Sequence, residues 1–292
     1  MCICTFKRST LLRQLLEKLN DQQTEGLFSY SLVIVDNDSV RSAEAVVAEF
    51  ARSASIRVTY DVEPQQSIAR ARNKAIENAI GDFVAFIDDD EFPTNSWLLT
   101  LFKVSKEYRV EGVLGPVKPH FLEGVPRWLV QGKFYERPVH PTGLAVEWPM
   151  ARSGNVLFKK EVYAALTEGF NPEFRCGSDV DFFRRAMDKG YVFIWSADAV
   201  VYEVVPRIRW KRWFLLRRAL FRGSLNHLHP TFGVVETAKA VIAILVYTIA
   251  LPFALILGQH RFMAVSVRLF QHLGKLLGLV GVNPIKDQYI TE

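Results

Sequence analysis

The chain has 292 residues, 49% of them apolar, and a net charge of +5. That is enough for one large domain, or one domain with an appendage. Its three cysteines, Cys2, Cys4 and Cys176, include no Cys-x-x-Cys pair, which argues against a zinc centre and fits a reducing cytoplasm.

Met1 to Phe6 is apolar and β-prone. It is short at its start and opens the chain directly, so no signal peptide is expected. Cys2 and Cys4 fall on one side of this strand, a core-packing pattern. Ser9 to Asn20 places Leu11, Leu12, Leu15, Leu16 and Leu19 on a helical stripe. Ser31 to Val35 reads as a buried strand ending at Asp36, Ala43 to Ala54 as a helix, and Ile56 to Asp61 as a third strand. Ser67 is placed to cap a helix with Ile68, Ala71, Ala75, Ile76 and Ala79 on one face. Alternation of helices with short apolar strands predicts a mostly parallel, doubly wound sheet. The strand ends at Phe6, Asp36 and Asp88 would then line one edge.

The stretch Gly81 to Glu91 organises the rest. A short apolar strand, Phe83 to Asp88, runs into four consecutive acids, Asp88, Asp89, Asp90 and Glu91. Such a run is commonly a solvated turn. Its position changes the reading, because ligands of open α/β sheets bind beyond the carboxyl ends of the strands. Four like charges need solvent, a cation or a basic partner to offset them. Hard oxygen ligands on such an edge suit Mg²⁺ or Mn²⁺, and these suit a diphosphate.

Further on, Asn95 to Tyr108 reads as a helix and Gly112 to Val117 as a strand. Pro119 to Pro149, rich in Pro, Gly and aromatics, reads as loops over a cleft. Asn155 to Phe158 is a strand and Ser178 to Lys189 a helix. Strands follow at Tyr191–Trp195 and Val200–Val204. From Arg207 to Val235 there is no acid, while Arg and Lys interleave with Trp210, Trp213 and Phe214. This reads as a basic amphipathic helix suited to an anionic surface, membrane or nucleic acid. The uncharged 19-residue run Ala240 to Gly258 tips the reading to a membrane, with no nucleic-acid partner. Pro252 leaves a kinked or re-entrant segment open beside a spanning one. Arg261 to Gly281 is a second amphipathic piece. The expected divisions are 1–206 for a catalytic domain, 207–233 for an interfacial helix and 234–292 for a hydrophobic segment with an amphipathic end.

Five blocks, Cys4-Thr5-Phe6-Lys7-Arg8, Val35-Asp36-Asn37-Asp38, Ala71-Arg72-Asn73, Gly81 to Glu91 and Gly177 to Phe183, resemble the inverting family 2 glycosyltransferases of GT-A fold. The likeness covers about residues 1 to 225 and is greatest to bacterial exopolysaccharide β-glucosyltransferases of the succinoglycan type. The resemblance implies an α/β, Rossmann-like GT-A sheet flanked by helices, with a membrane-associated C-terminal segment. It also implies a divalent metal (Mg²⁺ or Mn²⁺), a UDP-hexose donor and a lipid-linked or polysaccharide acceptor. The work would be done at the cytoplasmic face of the inner membrane.

The resemblance also implies roles. Thr5, Phe6, Arg8, Asp36, Arg72, Asp88 and Asp89 would bind the nucleotide-sugar. Asp90 would ligate the metal, and Asp88 would sit near the metal or the ribose. Asp179 would be the catalytic base, although Ser178-Asp179 stands where the family usually has Glu-Asp. Trp128 and Asn155 match acceptor-side positions. Tyr202-Glu203 replaces a His-Glu pair, so either Glu203 substitutes as ligand or water fills that place. On this reading Tyr202→His should raise metal affinity.

Two other readings compete. One is a non-catalytic membrane partner with a degenerate transferase fold, against which Asp88, Asp90, Arg72 and Asp179 argue by being retained. The other is a nucleotidyltransferase, against which residues 1 to 10 argue by lacking a glycine-rich phosphate loop.

Overall fold

The computed structural model describes residues 1–174, 177–224 and 233–282. Cys176, Arg175 and the chain beyond residue 282 lie outside them. Two compact units are formed. The first comprises 1–119 with 137–204, the second 120–136 with the described residues from 205 to 282.

In the first unit strands and helices alternate as expected. β1 (Cys2–Thr5), α1 (Ser9–Asn20), β2 (Ser31–Asp36), α2 (Glu44–Ser53), β3 (Arg57–Val62), α3 (Ile68–Glu77) and β4 (Phe83–Ile87) form the opening half. The α1 stripe is realised: Leu12, Leu15, Leu16 and Leu19 are fully buried. Ser67 caps α3, its hydroxyl accepting from the Arg70 N–H. There follow β5 (Glu91–Pro93), α4 (Trp97–Tyr108), β6 (Gly112–Leu114), β7 (Val117–Phe121), α5 (Arg127–Gln131), β8 (Asn155–Lys159), α6 (Lys160–Ala164), α7 (Ser178–Asp188), β9 (Phe193–Trp195) and β10 (Val201–Val205).

Seven strands make one sheet in the order β3-β2-β1-β4-β8-β6-β9. Pairings are parallel except where β8 runs against β4 and β6. A small second sheet has the order β5-β10-β7. Alternation along the strands divides the core into two layers. Ile3, Leu32 and Ile34 pack with α1, α2 and α4 on one face. Cys2, Val33 and Val35 pack with α3 and α7 on the other, and Cys4 joins them as expected.

The expected strand from Gly112 to Val117 is two strands in different sheets. Gly115 and Pro116 break it. A Cβ on Gly115 would lie 2.2 Å from the Ala199 carbonyl oxygen, so only glycine fits that crossing. The expected loop region 119–149 holds α5 and a short 3₁₀ turn, Trp148–Met150, within its irregular chain.

The second unit is helical. α5 packs with α8 (Arg212–Ser224) and α10 (Gln259–Leu279) around Leu129, Trp210, Leu215 and Met263. The apolar run appears as α9 (Val234–Ile256), a helix long and apolar enough to cross a membrane.

Candidate active site at the carboxyl edge of the sheet

β1, β2 and β4 are parallel neighbours, so their carboxyl ends meet at one edge. Thr5 is the register partner of Asp36. The Thr5 hydroxyl donates to Asp89 Oδ2 at 2.8 Å. The Arg8 guanidinium donates through Nη1 to Asp89 Oδ1 at 2.8 Å and to Asp90 Oδ2 at 3.1 Å. The first-strand block and the acidic block, 80 residues apart in sequence, are thereby one site. Phe6 stands beside them, its ring under the Lys7 ammonium at 5.1 Å.

The acids are crowded and mostly enclosed. Asp89, Asp90 and Glu91 are 4%, 6% and 1% exposed. The Asp88 N–H donates to Glu91 Oε2, which turns the Glu91 side chain back over the strand end. β5 pairs antiparallel with β10 and sets Glu203 directly opposite Glu91. Burial, opposed by Arg8 and reinforced by the charges of Asp89, Asp88 and Glu203, pushes the Asp90 carboxyl up to about 7. Burial also raises Asp88, against the nearby Arg72 charge and with the repulsion of Asp89 and Glu203. Glu91 is raised by burial, then by Asp88, Glu203 and Asp90. Burial disfavours the charge on Arg8, but Asp89 and Asp90 outweigh it and push its pKa up.

These acids number five, counting Glu203. The cations acting on them are Arg8, Arg72 and Arg137, and Arg137 Nη2 donates to Glu203 Oε2 at 2.5 Å. Carboxylates outnumber guanidinium groups among these residues. Among the described residues no ready-made cage of three ligands is present. The donor set is all hard oxygen with a surplus of negative charge. That fits a divalent cation held by one or two carboxylates whose remaining ligands are water and phosphate. Asp88 and Asp90 are the residues that would hold it.

The other expected site residues lie on further elements. Arg72 is buried in α3, its guanidinium 5.6 Å from the Phe170 ring and its charge acting on Asp88. Asp36 is fully buried. Its oxygens accept from the Asp38 and Ala43 N–H groups and the Tyr60 hydroxyl, so it braces the loop after β2 rather than facing a ligand. Asp38, next along, keeps a buried Oδ2 with no hydrogen-bond partner.

Asp179 lies half-buried in the first turn of α7, Oδ1 accepting from the Val180 N–H. Asn155, expected on the acceptor side, does not face a substrate. It is 2% exposed, and its side chain accepts from Trp97 Nε1 and donates to the Pro116 and Ala199 carbonyls. Trp128 belongs to the second unit, packed edge-on to Phe134 and under Arg212. Tyr202 is also corrected. It pairs with Phe92, one position from Glu203, so strand alternation turns it to the opposite face, and it is 40% exposed. Glu203 is the residue that reaches the acids.

Two participants carry no local sequence signal. Arg137 comes from the Pro-rich connection. Gly154 precedes β8, and a Cβ there would stand 2.7 Å from Glu91 Oε1 and 3.0 Å from Asp88 Oδ2.

An acidic strand end beside Thr5 and Arg8 on a mostly parallel, doubly wound sheet is the architecture of the GT-A glycosyltransferases. Residues 1–167 match glycosyl transferase family 2, and the chain belongs to that family. It is 29% identical to the succinoglycan biosynthesis protein ExoM of Rhizobium meliloti, over 98% of this chain and 94% of that protein. It is 26% identical to the glycosyltransferase AglE of Haloferax volcanii, over 61% of this chain and 58% of that protein. Among solved structures it resembles the mannosyltransferase PcManGT of Pyrobaculum calidifontis in complex with GDP-Man and Mn²⁺. That match has a TM-score of 0.65 and 17% identity, over 95% of this chain and 86% of the other. It also resembles S. aureus TarS 1-349 in complex with UDP-GlcNAc. There the TM-score is 0.53 with 15% identity, over 96% and 91% of the two chains.

Proposed function

We propose that the protein transfers a hexose from a UDP-sugar, with inversion, to a lipid-linked glycan at the cytoplasmic face of the inner membrane, in exopolysaccharide assembly. The observation that carries this reading is the buried acid cluster Asp88–Glu91 at the carboxyl end of β4, tied to Thr5 and Arg8. The near-full-length likeness to ExoM supports the pathway class, and the UDP-GlcNAc complex of TarS supports the donor class.

Asp88 and Asp90 would hold a divalent ion, and such an ion would stabilise the charge on the departing diphosphate. The protein does the rest. Arg8 fixes the orientation of Asp89 and Asp90, and Arg72 adds positive charge beside Asp88. The Asp179 carboxylate takes the proton of the acceptor hydroxyl as its oxygen bonds to the anomeric carbon. The bond from that carbon to the diphosphate oxygen breaks on the opposite face, and the nucleoside diphosphate leaves with the electron pair.

The test is a panel of UDP- and GDP-hexoses incubated with the purified protein, Mn²⁺ and lipid-linked acceptor, with products weighed by mass spectrometry. A mass gain of one hexose from a UDP-sugar is expected. Gain from GDP-sugars alone would refute the donor, and no transfer from any donor would refute the reading.

A further inference from the structure

We infer that α9 does not cross the bilayer but lies in one leaflet, as the apolar arm of a helical hairpin whose other faces are cationic. The inference deepens the proposed membrane location and rests on it. α9 has 23 residues, about 34 Å of helix, which by length alone could span. Only 11% of its apolar window is buried. Val241, Leu245, Ile249, Phe253 and Ile256 are exposed at three- and four-residue spacing, and Ile242, Val246 and Leu255 are exposed beside them, so the apolar stripe is a broad face of the helix.

The opposite side of α9 is not free to sit in lipid. Gly258, at φ +113°, turns the chain back into α10. Lys275 near the end of α10 lies 3.9 Å from Glu236 near the start of α9, and Tyr247 in the middle of α9 stacks on His272. Ala240 and Ala254 are buried toward opposite ends of the helix. α10 therefore runs antiparallel along α9, and it carries Arg261, Arg268, Gln271, His272 and Lys275.

α10 is in turn fixed to α8. A Cβ on Gly223 would lie 2.0 Å from the Gln271 carbonyl oxygen, and one on Gly274 2.1 Å from that of Leu220, so the two backbones touch. Arg212 donates to Gln259 across the same pair at 3.0 Å. α8 carries Arg217, Arg218 and Arg222 and, with the whole of 207–235, no acid.

If α9 spanned, this cationic pair would be drawn to membrane depth with it, and charged side chains in hydrocarbon are strongly disfavoured. A helix that lies in the interface, with its apolar stripe about 5–10 Å into the acyl boundary, leaves α8 and α10 among the headgroups. The excess of arginine there fits anionic lipid.

The test uses the full-length protein expressed in a bacterial host and inverted inner-membrane vesicles. Gly233→Cys and Gln259→Cys, exposed positions just outside the two ends of α9, are treated with a membrane-impermeant maleimide, and the parent protein gives the background. Both positions should react before detergent is added, as one-leaflet placement requires. Reaction at only one end, or at neither, before detergent would overturn the inference while leaving membrane association intact. Failure of the full chain to fractionate with the vesicles would instead overturn the membrane location itself. With purified protein, binding to phosphatidylcholine vesicles should strengthen on the order of tenfold when phosphatidylglycerol is included. Equal binding to the two would remove the role given to the arginines.

Discussion

Glu91 and Glu203 are register partners across the antiparallel pairing of β5 with β10, two carboxylates held opposite one another at the rim of the acid cluster. Like charges directly opposite in a sheet are destabilising, and here Asp88 and Asp90 add to the repulsion. The arrangement holds carboxylates at an unfavourable density, which a cation bound there would relieve. It is the mark of a site rather than of a scaffold.

Burial of these acids, with their mutual repulsion behind it, sets the pH dependence of the metal-free protein. Asp90 ionises near 3.8 in the unfolded chain and at about 7 when folded. Between those values the folded state holds the extra proton, so this contribution to stability falls as pH rises through the interval and is gone above it. Asp88 and Glu91 are shifted in the same direction. Melting in EDTA should therefore show higher stability at about pH 5 than at about pH 8, by on the order of 3 kcal/mol. Glu203→Gln should flatten the profile. A melting temperature that rises with pH in EDTA would contradict this account.

Gly154 gives a steric counterpart. Its missing Cβ is the space that the Glu91 and Asp88 carboxylates occupy. Gly154→Ala should force these two apart, with a cost of about 1–3 kcal/mol for an overpacked site and a loss of metal-dependent activity larger than the loss of stability predicts. Thermal melts and transfer rates on the same preparation check it. Unchanged activity would mean that the acids tolerate displacement.

Much of this fold is legible from local pattern, and the exceptions share a cause. α1 declares itself through Leu12, Leu15, Leu16 and Leu19, and β2 through an unbroken apolar run, because each buries a face defined within its own length. β5 does not. Its three residues, Glu91–Pro93, read as the tail of an acidic turn, and they are a strand only because Val201–Glu203 arrives from 110 residues away. Asn155 shows the same limit from the other side. Its residue type suggests a substrate contact, but its partners on Trp97, Pro116 and Ala199 are all non-local. The acid block and its link to Thr5 and Arg8 follow from β1 and β4 being parallel neighbours, which the alternation of elements implies. The turning of Tyr202 away, and of Glu203 inward, depends on the register of one strand pair.

Asn155→Ala removes three internal hydrogen bonds and leaves the Trp97 N–H and two carbonyls buried without it. The expected loss is about 3 kcal/mol, since each unsatisfied group costs about 1–3 kcal/mol with partial relaxation. Because the side chain does not face a substrate, the KM for acceptor should stay within about threefold of the parent at temperatures below the melt. A raised acceptor KM with an unchanged melting temperature would restore the acceptor-side role.

Asp179→Asn removes the charge of the proposed base and keeps its shape. Transfer should fall by about 10²-fold or more, the usual worth of general base catalysis, while UDP binding measured by calorimetry stays near that of the parent. Near-normal transfer would mean that another group takes the proton.

The metal prediction follows from the donor set. Asp90 is already committed through Oδ2 to Arg8, and Asp89 through both oxygens to Arg8 and Thr5. The carboxylates at the strand end thus offer few vacant oxygens, and Tyr202 points elsewhere. Mg²⁺ and Mn²⁺ bind such sites through one or two carboxylates, completing the shell with water and substrate phosphate. Mn²⁺ should therefore bind weakly to the protein alone and at least about tenfold more tightly with UDP present, one factor of ten being about 1.4 kcal/mol of coupling. Tyr202→His should leave both affinities unchanged, because its side chain lies on the far face of β10, whereas Asp90→Asn should abolish the UDP-dependent gain. EDTA should stop transfer, and Mn²⁺ or Mg²⁺ should restore it. Calorimetric titration of Mn²⁺ with and without UDP reads the coupling directly. Equal affinities in the two titrations would rule out a shared metal–diphosphate site, and full transfer in EDTA would rule out the metal.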